Sequence, residues 1–226
     1  MLFNRNSFFS IVIIIVAHYI QNLVAQGENQ HLDFKLTISD ALHIAKSFAS
    51  FANASGGKLL IGVNDNGAIR GVRTEEEELY MIDAAASYHC TPPVPYSVRR
   101  WLCYGRIILE VNIPEGAKKP YYAKQRKQHK PPVAYIRVAD SDCQVCSIQL
   151  MVWKKQKNPN GIYILDTENI GLLLAYLRKY PYITVLTVCR QLMISYQKAA
   201  RLLAELVYLK YLDIEYENGR AYFRVR

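Results

Sequence analysis

Apolar and polar residues change their spacing several times along the chain, and each change marks an element. His31-Leu32-Asp33-Phe34-Lys35-Leu36 alternates, which sets Leu32, Phe34 and Leu36 on one face and Asp33 with Lys35 on the other, the pattern of a half-buried strand. The period then lengthens: Leu42, Ala45, Phe48, Ala49 and Ala52 recur at helical spacing behind Ser39, which suits a cap, with Asp40 in the first turn. Asn53 to Gly57 ends that helix. Lys58 to Val63 is a short apolar strand, and Asn64-Asp65-Asn66-Gly67 has the turn chemistry of a hairpin into Ala68 to Val72. Thr74-Glu75-Glu76-Glu77 reads as a capping box that starts a second helix towards His89, beyond which Pro92, Pro93 and Pro95 forbid its continuation. Strands follow at Ser97 to Cys103, Arg106 to Ile113 and Val133 to Val138; Tyr104-Gly105 joins the first two, and a long basic loop separates the last two.

Beyond this point the pattern becomes mainly helical. Ser147 to Lys157 suits a helix, and Asn158-Pro159-Asn160-Gly161 a break. Thr167 can cap a helix through about Tyr180 with Ile170, Leu173, Leu174 and Leu177 inward; Thr184 to Leu192 suits a second helix; Ser195 can cap a third, running to about Lys210. Leu212 to Tyr216 and Ala221 to Arg226 form a terminal hairpin across Asn218-Gly219. Three helices followed by a hairpin is the order of a winged helix. The expected fold class is α+β: a mixed sheet-and-helix domain over residues 20–145, a linker helix and loop over 146–165, and a small winged-helix domain over 166–226.

Residues 1–19 stand apart as an apolar leader. Phe8 to Ala17 follows Arg5 without a charge, short for a membrane span and long enough for the apolar region of a signal peptide. Leu23 and Ala25 make a poor cleavage site. An apolar helix packed on the domain, or a leader translated upstream of the true start, goes with a cytoplasmic protein; the alternative is a signal or anchor, with export or membrane association through residues 1–25.

The 226 residues are 51% hydrophobic, which excludes a disordered chain. Lysine and arginine number 28 against 19 aspartate and glutamate, a formal net charge of +9 that concentrates polyanions and makes nucleic acid the leading class of partner. Five cysteines do not suggest a disulfide framework, and Cys143-x-x-Cys146 lacks a second pair at zinc spacing. The densest basic segment, Lys118 to Lys130, offers Lys118, Lys119, Lys124, Arg126, Lys127 and Lys130 for phosphates, with Tyr121 and Tyr122 for stacking on bases; Arg137 follows it. In the last domain Tyr196, Gln197, Lys198 and Arg201 face outward from the third helix, where a winged helix meets the major groove, and Arg220 sits at the wing tip.

Several of these stretches together resemble a known family. Glu28-x-x-x-x-Asp33-Phe34-Lys35, Phe48-x-x-Phe51-Ala52-Asn53-Ala54-Ser55-Gly56-Gly57 and Leu60-Ile61-Gly62-Val63-Asn64-Asp65-Asn66-Gly67-x-Ile69-x-Gly71-Val72 are similar to the Schlafen AlbA-type domain, and Pro114-x-Gly116, Pro120-Tyr121 and Tyr135-Ile136-Arg137 fit the same pattern. In the family's ribonuclease members, the resemblance implies, three acids form a metal-assisted site for cleaving transfer or ribosomal RNA. The matching positions are Glu28, Asp33 and Asp65, which would hold Mg²⁺ or Mn²⁺ to activate water, with Lys35 on a phosphate oxygen. Asp33 stands where the family usually has glutamate, one methylene shorter in reach. The resemblance also implies a homodimer, since the nuclease members build a groove from two such lobes. Gly56-Gly57-Lys58 is not a phosphate-binding P-loop, because Lys58 opens a strand after a helix instead of a helix after a strand. Three readings follow: a nucleic-acid-binding protein, DNA-binding and regulatory, with no enzymatic activity; a metal-dependent endoribonuclease acting on structured RNA; and a protein-docking or dimerisation module.

Overall fold

A computed structural model describes residues 18–126, 130–158 and 167–226. The apolar run Phe8 to Ala17, Lys127 and the break at Pro159-Asn160-Gly161 lie outside the described residues. The chain divides into two units, Met1–Cys143 and Gln144–Arg226.

The first unit is built on a four-stranded sheet of order β1-β2-β5-β4, formed by β1 (Leu32–Lys35), β2 (Gly57–Ile61), β5 (Arg106–Ile113) and β4 (Ser97–Cys103). β1 runs parallel to β2, and the other pairs are antiparallel. Tyr104 and Gly105 both take positive φ in the turn between β4 and β5, the geometry that lets a two-residue hairpin follow the strand twist. Both faces of this sheet are covered, and β2 shows why its sequence is a continuous apolar run: Leu59 and Ile61 enter one core, Leu60 the other. One core lies against α2 (Ala41–Asn53) and α3 (Glu75–Asp83), which continues as a π-helical turn over Ala84–Tyr88. The other lies under the helical residues 18–25 (α1), which add Ile20 with Tyr19, Leu23 and Val24. Phe34, Phe48 and Phe51 are fully buried, and each contributes on the order of 2 to 3 kcal/mol by leaving water.

A second sheet of order β3-β6-β7-β8 joins β3 (Cys90–Thr91), β6 (Tyr122–Ala123), β7 (Val133–Val138) and β8 (Ser141–Gln144). It packs on α2, which is therefore buried almost all round, Ser47, Ser50 and Asn53 included. Four local expectations are corrected. β1 is not half-buried, since Asp33 is only 4% exposed. Asp40, not Ser39, caps α2 by accepting from the Leu42 and His43 amides. Thr74 makes no capping bond to α3; that helix is tied instead by buried Glu78, which accepts from the Thr37 hydroxyl and, at 2.9 Å, from the Ile38 amide. The stretch between β5 and β7 is likewise not one long loop, because β6 forms inside it.

The second unit comprises α4 (Ser147–Lys157), α5 (Thr167–Leu177), α6 (Val185–Leu192), α7 (Tyr196–Tyr208) and the hairpin β9 (Leu212–Glu217) with β10 (Arg220–Val225). α4, read from sequence as a linker helix, sends Ile148 and Val152 into the same core as Leu173, Leu177, Val188, Leu203 and Phe223. Thr184 and Ser195 cap α6 and α7 through their hydroxyls, and Met193 ends α6 in the left-handed conformation. Ile183 exchanges two 2.9 Å backbone bonds with Phe223, adding a short third lane to the hairpin. Among the described residues no helix is long and apolar enough to cross a membrane.

Candidate functional site

The two carboxylates at the start of the first unit are brought together by a turn. Asn29 and Leu32 exchange backbone bonds, and Gln30 clamps the turn to β7 by donating to the Arg137 carbonyl at 2.7 Å and accepting from the Ala139 amide at 2.9 Å. Glu28 is thereby folded back on β1, where its Oε1 accepts from the Phe34 amide at 2.9 Å. Burial and then the hydrogen-bonded Asp33 beside it raise the Glu28 carboxyl above its ordinary range. Two cations compensate the pair: Lys35 Nζ lies 3.1 Å from Asp33 and 4.0 Å from Glu28, and Arg137 Nη2 lies 3.5 Å from Asp33.

Arg137 is 4% exposed and reaches further partners. Its guanidinium donates to the carbonyls of Asn29 and Leu32, lies over the Phe51 ring at 5.0 Å, and holds Asp142 at 3.1 Å. Asp142 also accepts from Ser47, at 2.8 Å, and from Ser50. Glu28, Asp33 and Arg137 therefore belong to one network that joins β1, α2, β7 and β8.

Asp65 is elsewhere in character: it is exposed on the Asn64–Gly67 turn. Among the described residues no three His, Cys, Asp or Glu side chains are grouped to hold a metal, which corrects the expectation that Glu28, Asp33 and Asp65 form one cluster. The Mg²⁺ or Mn²⁺ implied by the resemblance does not fit these residues, because the pair that does meet is already compensated by Lys35 and Arg137. Lys35, expected on a phosphate, donates to Asp33 and to the Phe34 carbonyl.

The basic segment is partly structural as well. Asn53, buried in the last turn of α2, donates to the carbonyls of Tyr121 and Tyr135 and accepts from the Tyr121 amide, all within 2.8 Å. Tyr121 is 3% exposed and packs so closely on Gly116 that a Cβ there would lie 2.2 Å from the ring. Tyr121 is thus not available to stack on a base, and buried Arg137 is not available to a phosphate. Lys119 is turned inward to the Ala54 carbonyl and Glu115, and Tyr122 is half-buried in β6. Lys118 and Lys130 are exposed. Lys124 lies 3.8 Å over the Tyr88 ring, and Arg126 pairs with Asp40 at 2.6 Å, which holds that carboxyl below its ordinary value.

One further network was missed from sequence, and a second was read only in part. Buried Glu110 is held by Lys58 at 2.9 Å, Tyr19 at 2.9 Å and Trp101 at 2.6 Å; burial works to raise its carboxyl, but these donors outweigh it and hold it low. The other is a set of cations from α2 and the segment after β6, with Lys46 lying 5.7 Å over the Tyr135 ring. A charged residue inside the apolar run Ile107 to Val111, Glu110, was the available signal for the first; in the second, the basic segment marks Lys124 and Arg126, and nothing in local spacing marks Lys46. Burial pushes the Cys90 thiol up to about 12, so that cysteine is an inert core residue.

In the second unit α7 buries Ala199, Ala200, Leu202, Leu203 and Leu206 and exposes Tyr196, Gln197, Lys198 and Arg201. Arg220 is exposed at the β9–β10 turn, where Asn218 and Gly219 have positive φ. Tyr196 and Arg220 line one cleft of about 800 Å³ with Arg190, Tyr216 and Tyr222, and no carboxylate is in its lining. Among the described residues Lys198, Arg201 and Arg220 enter no ion pair.

Comparison with known proteins adds the following. A family model described as Schlafen, AlbA_2 matches residues 28–146. Among solved structures, the chain is similar to the DIP2311 protein from Corynebacterium diphtheriae, with 18% identity and a TM-score of 0.44 over 68% of this chain and 29% of that one. It is also similar to the N-terminal domain of a protein from Nitrosomonas europaea described as related to the ATP-dependent DNA helicase RecG, with 21% identity and a TM-score of 0.42 over 58% of this chain and 93% of that one. The chain spans less than a third of the length of the Corynebacterium protein. No curated protein matches it.

Proposed function

The chain belongs to the Schlafen AlbA_2 family, and from that premise we propose that it binds nucleic acid, with the second unit acting as a winged helix that docks on duplex DNA. The observation that carries this reading is the outward face of α7. Tyr196, Gln197, Lys198 and Arg201 occupy its first two turns, exposed and without an ion pair among the described residues, while the opposite face is apolar and buried. Exposed, unpaired cations on one helix face are free to meet the phosphates of an anionic partner. In the major groove Gln197 can read adenine and Arg201 guanine, while Lys198 neutralises a phosphate. Arg220 on the hairpin reaches the neighbouring backbone or minor groove, as a wing does.

Cleavage of RNA is not part of the proposal. A nuclease reading needs carboxylate oxygens that meet a metal, whereas here Glu28 Oε1 accepts from the Phe34 amide and Asp33 Oδ1 is paired with Lys35 and Arg137. A regulatory DNA-binding protein is the specific role this supports. Replacement of Lys198 and Arg201 by alanine in the full chain is expected to weaken duplex binding about tenfold or more and to lower the slope of log affinity against log salt by about 1 to 2. Fluorescence anisotropy over a salt series measures both, and equal affinity and slope for variant and wild type would refute α7 as the contact.

A further inference from the structure

We infer that the first unit carries a preformed pocket for a single phosphodiester, built by His43 and Lys46 of α2, Lys124 and Arg126 after β6, and Tyr135 of β7. Its ligand is a backbone phosphate of a nucleic-acid strand, so it rests on the reading above and adds a second anchoring point on the other unit.

The pocket has a volume of about 200 Å³, and its lining holds three permanent cations and no carboxylate. That volume is below the range of roughly 300 to 1,000 Å³ typical of cofactor and drug-like ligands, yet it admits a phosphate with part of its sugar. The cations come from distant parts of the chain. Lys46 lies in the middle of α2, held over the Tyr135 ring at 5.7 Å; Lys124 lies over the Tyr88 ring at 3.8 Å. Among the described residues neither lysine is in an ion pair, so both are steadied by aromatic faces that leave their charge uncancelled.

The frame beneath them is rigid. The Lys124 amide donates to the His89 carbonyl at 2.9 Å, β6 is paired on both sides, and Asn53 ties the backbone of Tyr121, just before β6, to that of Tyr135 in the pocket lining. A cation set held in place before the ligand arrives loses little side-chain entropy on binding. Tyr88, 68% exposed beside Lys124, offers an aromatic edge to the sugar or base next to the bound phosphate. Arg126 is the adjustable member. Its 2.6 Å pair with Asp40 is a surface pair, with the arginine side chain 81% exposed, and it can exchange the carboxylate for a phosphate oxygen at small cost.

That pairing supplies a test with opposite signs. Full-length protein is titrated with duplex DNA of about 20 base pairs over a salt series. The double variant Lys46→Gln, Lys124→Gln is expected to bind about tenfold more weakly with a salt slope lower by about 1, while remaining folded as judged by a cooperative thermal transition. Asp40→Asn keeps the side-chain oxygen that caps α2 but releases Arg126, and is expected to tighten binding about threefold. If wild type binds DNA and both variants match it in affinity and slope, the pocket is overturned while nucleic-acid binding through α7 stands. If wild type fails to bind even at low salt, both readings fall. If inorganic phosphate raises the thermal midpoint of wild type but not of the double variant, while their DNA affinities agree, the pocket takes free phosphate and its assignment to a strand is overturned.

Discussion

Glu28 illustrates how a residue's neighbours, more than its identity, set its chemistry. Burial and the adjoining Asp33 push its carboxyl up. The folded chain consequently holds the Glu28 proton more tightly than the unfolded chain does. Stability from this group is fully present below the ordinary glutamate value of 4.5 and is lost as pH rises through the raised folded value. Glu28→Gln leaves an oxygen to accept from the Phe34 amide and removes the charge, so its stability relative to wild type is expected to rise with pH across that window. Thermal midpoints of the two proteins at a series of pH values check this, and a falling difference would contradict it. Glu110 shows the reverse balance: it is equally acidic and more deeply buried, yet three donors hold it ionised.

At the scale of elements, the short turn-like motifs of the first unit are joints between strands and helices. Asn53 closes α2 and at the same time bonds the backbone of Tyr121, just before β6, and of Tyr135 within β7. Gly116 exists to admit the Tyr121 ring, and Gly56, at a positive φ of 77°, lies where a Cβ would be 2.7 Å from the Ile113 carbonyl oxygen. Asn53→Ala would orphan one buried amide and two carbonyls, and is expected to cost about 3 kcal/mol, read as a lower denaturation midpoint in urea. A loss below about 0.5 kcal/mol would mean that water replaces the amide, against the burial seen around it.

Considered as a whole, the molecule keeps its acids and its cations in different states. Several acids are spent internally: Asp33, Glu78, Glu110 and Asp142 each accept bonds in a network that ties elements together. The net charge of +9 is then carried by surface cations such as Lys118, Lys130, Lys198, Arg201 and Arg220, which suits a partner bearing many negative charges. On the proposed reading, binding needs no metal. Wild type incubated with labelled transfer RNA or duplex DNA is expected to retain the same salt-sensitive binding with Mn²⁺, with Mg²⁺ and with EDTA, and to leave both substrates intact. Cleavage that needs Mn²⁺ and disappears in Glu28→Ala would show that the carboxylate pair opens to a metal after all.

The α+β class, most of the longer elements and several local joints were legible from sequence, because they depend on neighbours only a few residues apart; the short strands β3, β6 and β8 were not, and the expected strand Ala68 to Val72 is reduced to a single Val63–Ile69 bridge. Tyr104-Gly105 and Asn218-Gly219 turn as their residue types demand, Ser195 caps its helix, and the apolar run at β2 forms a strand. Spacing could not say which polar residues would be buried. Asp33 and Tyr121 read as surface groups by alternation and by composition, yet Arg137 and Asn53 bury them from 104 and 68 positions away, respectively. The same long-range folding brings Lys46 beside Lys124 and Arg126 while leaving Asp65 apart from Glu28 and Asp33. The physical reason is that a turn or a cap is satisfied by its own backbone, whereas the fate of a charge depends on desolvation and on whichever distant group packing brings within about 4 Å.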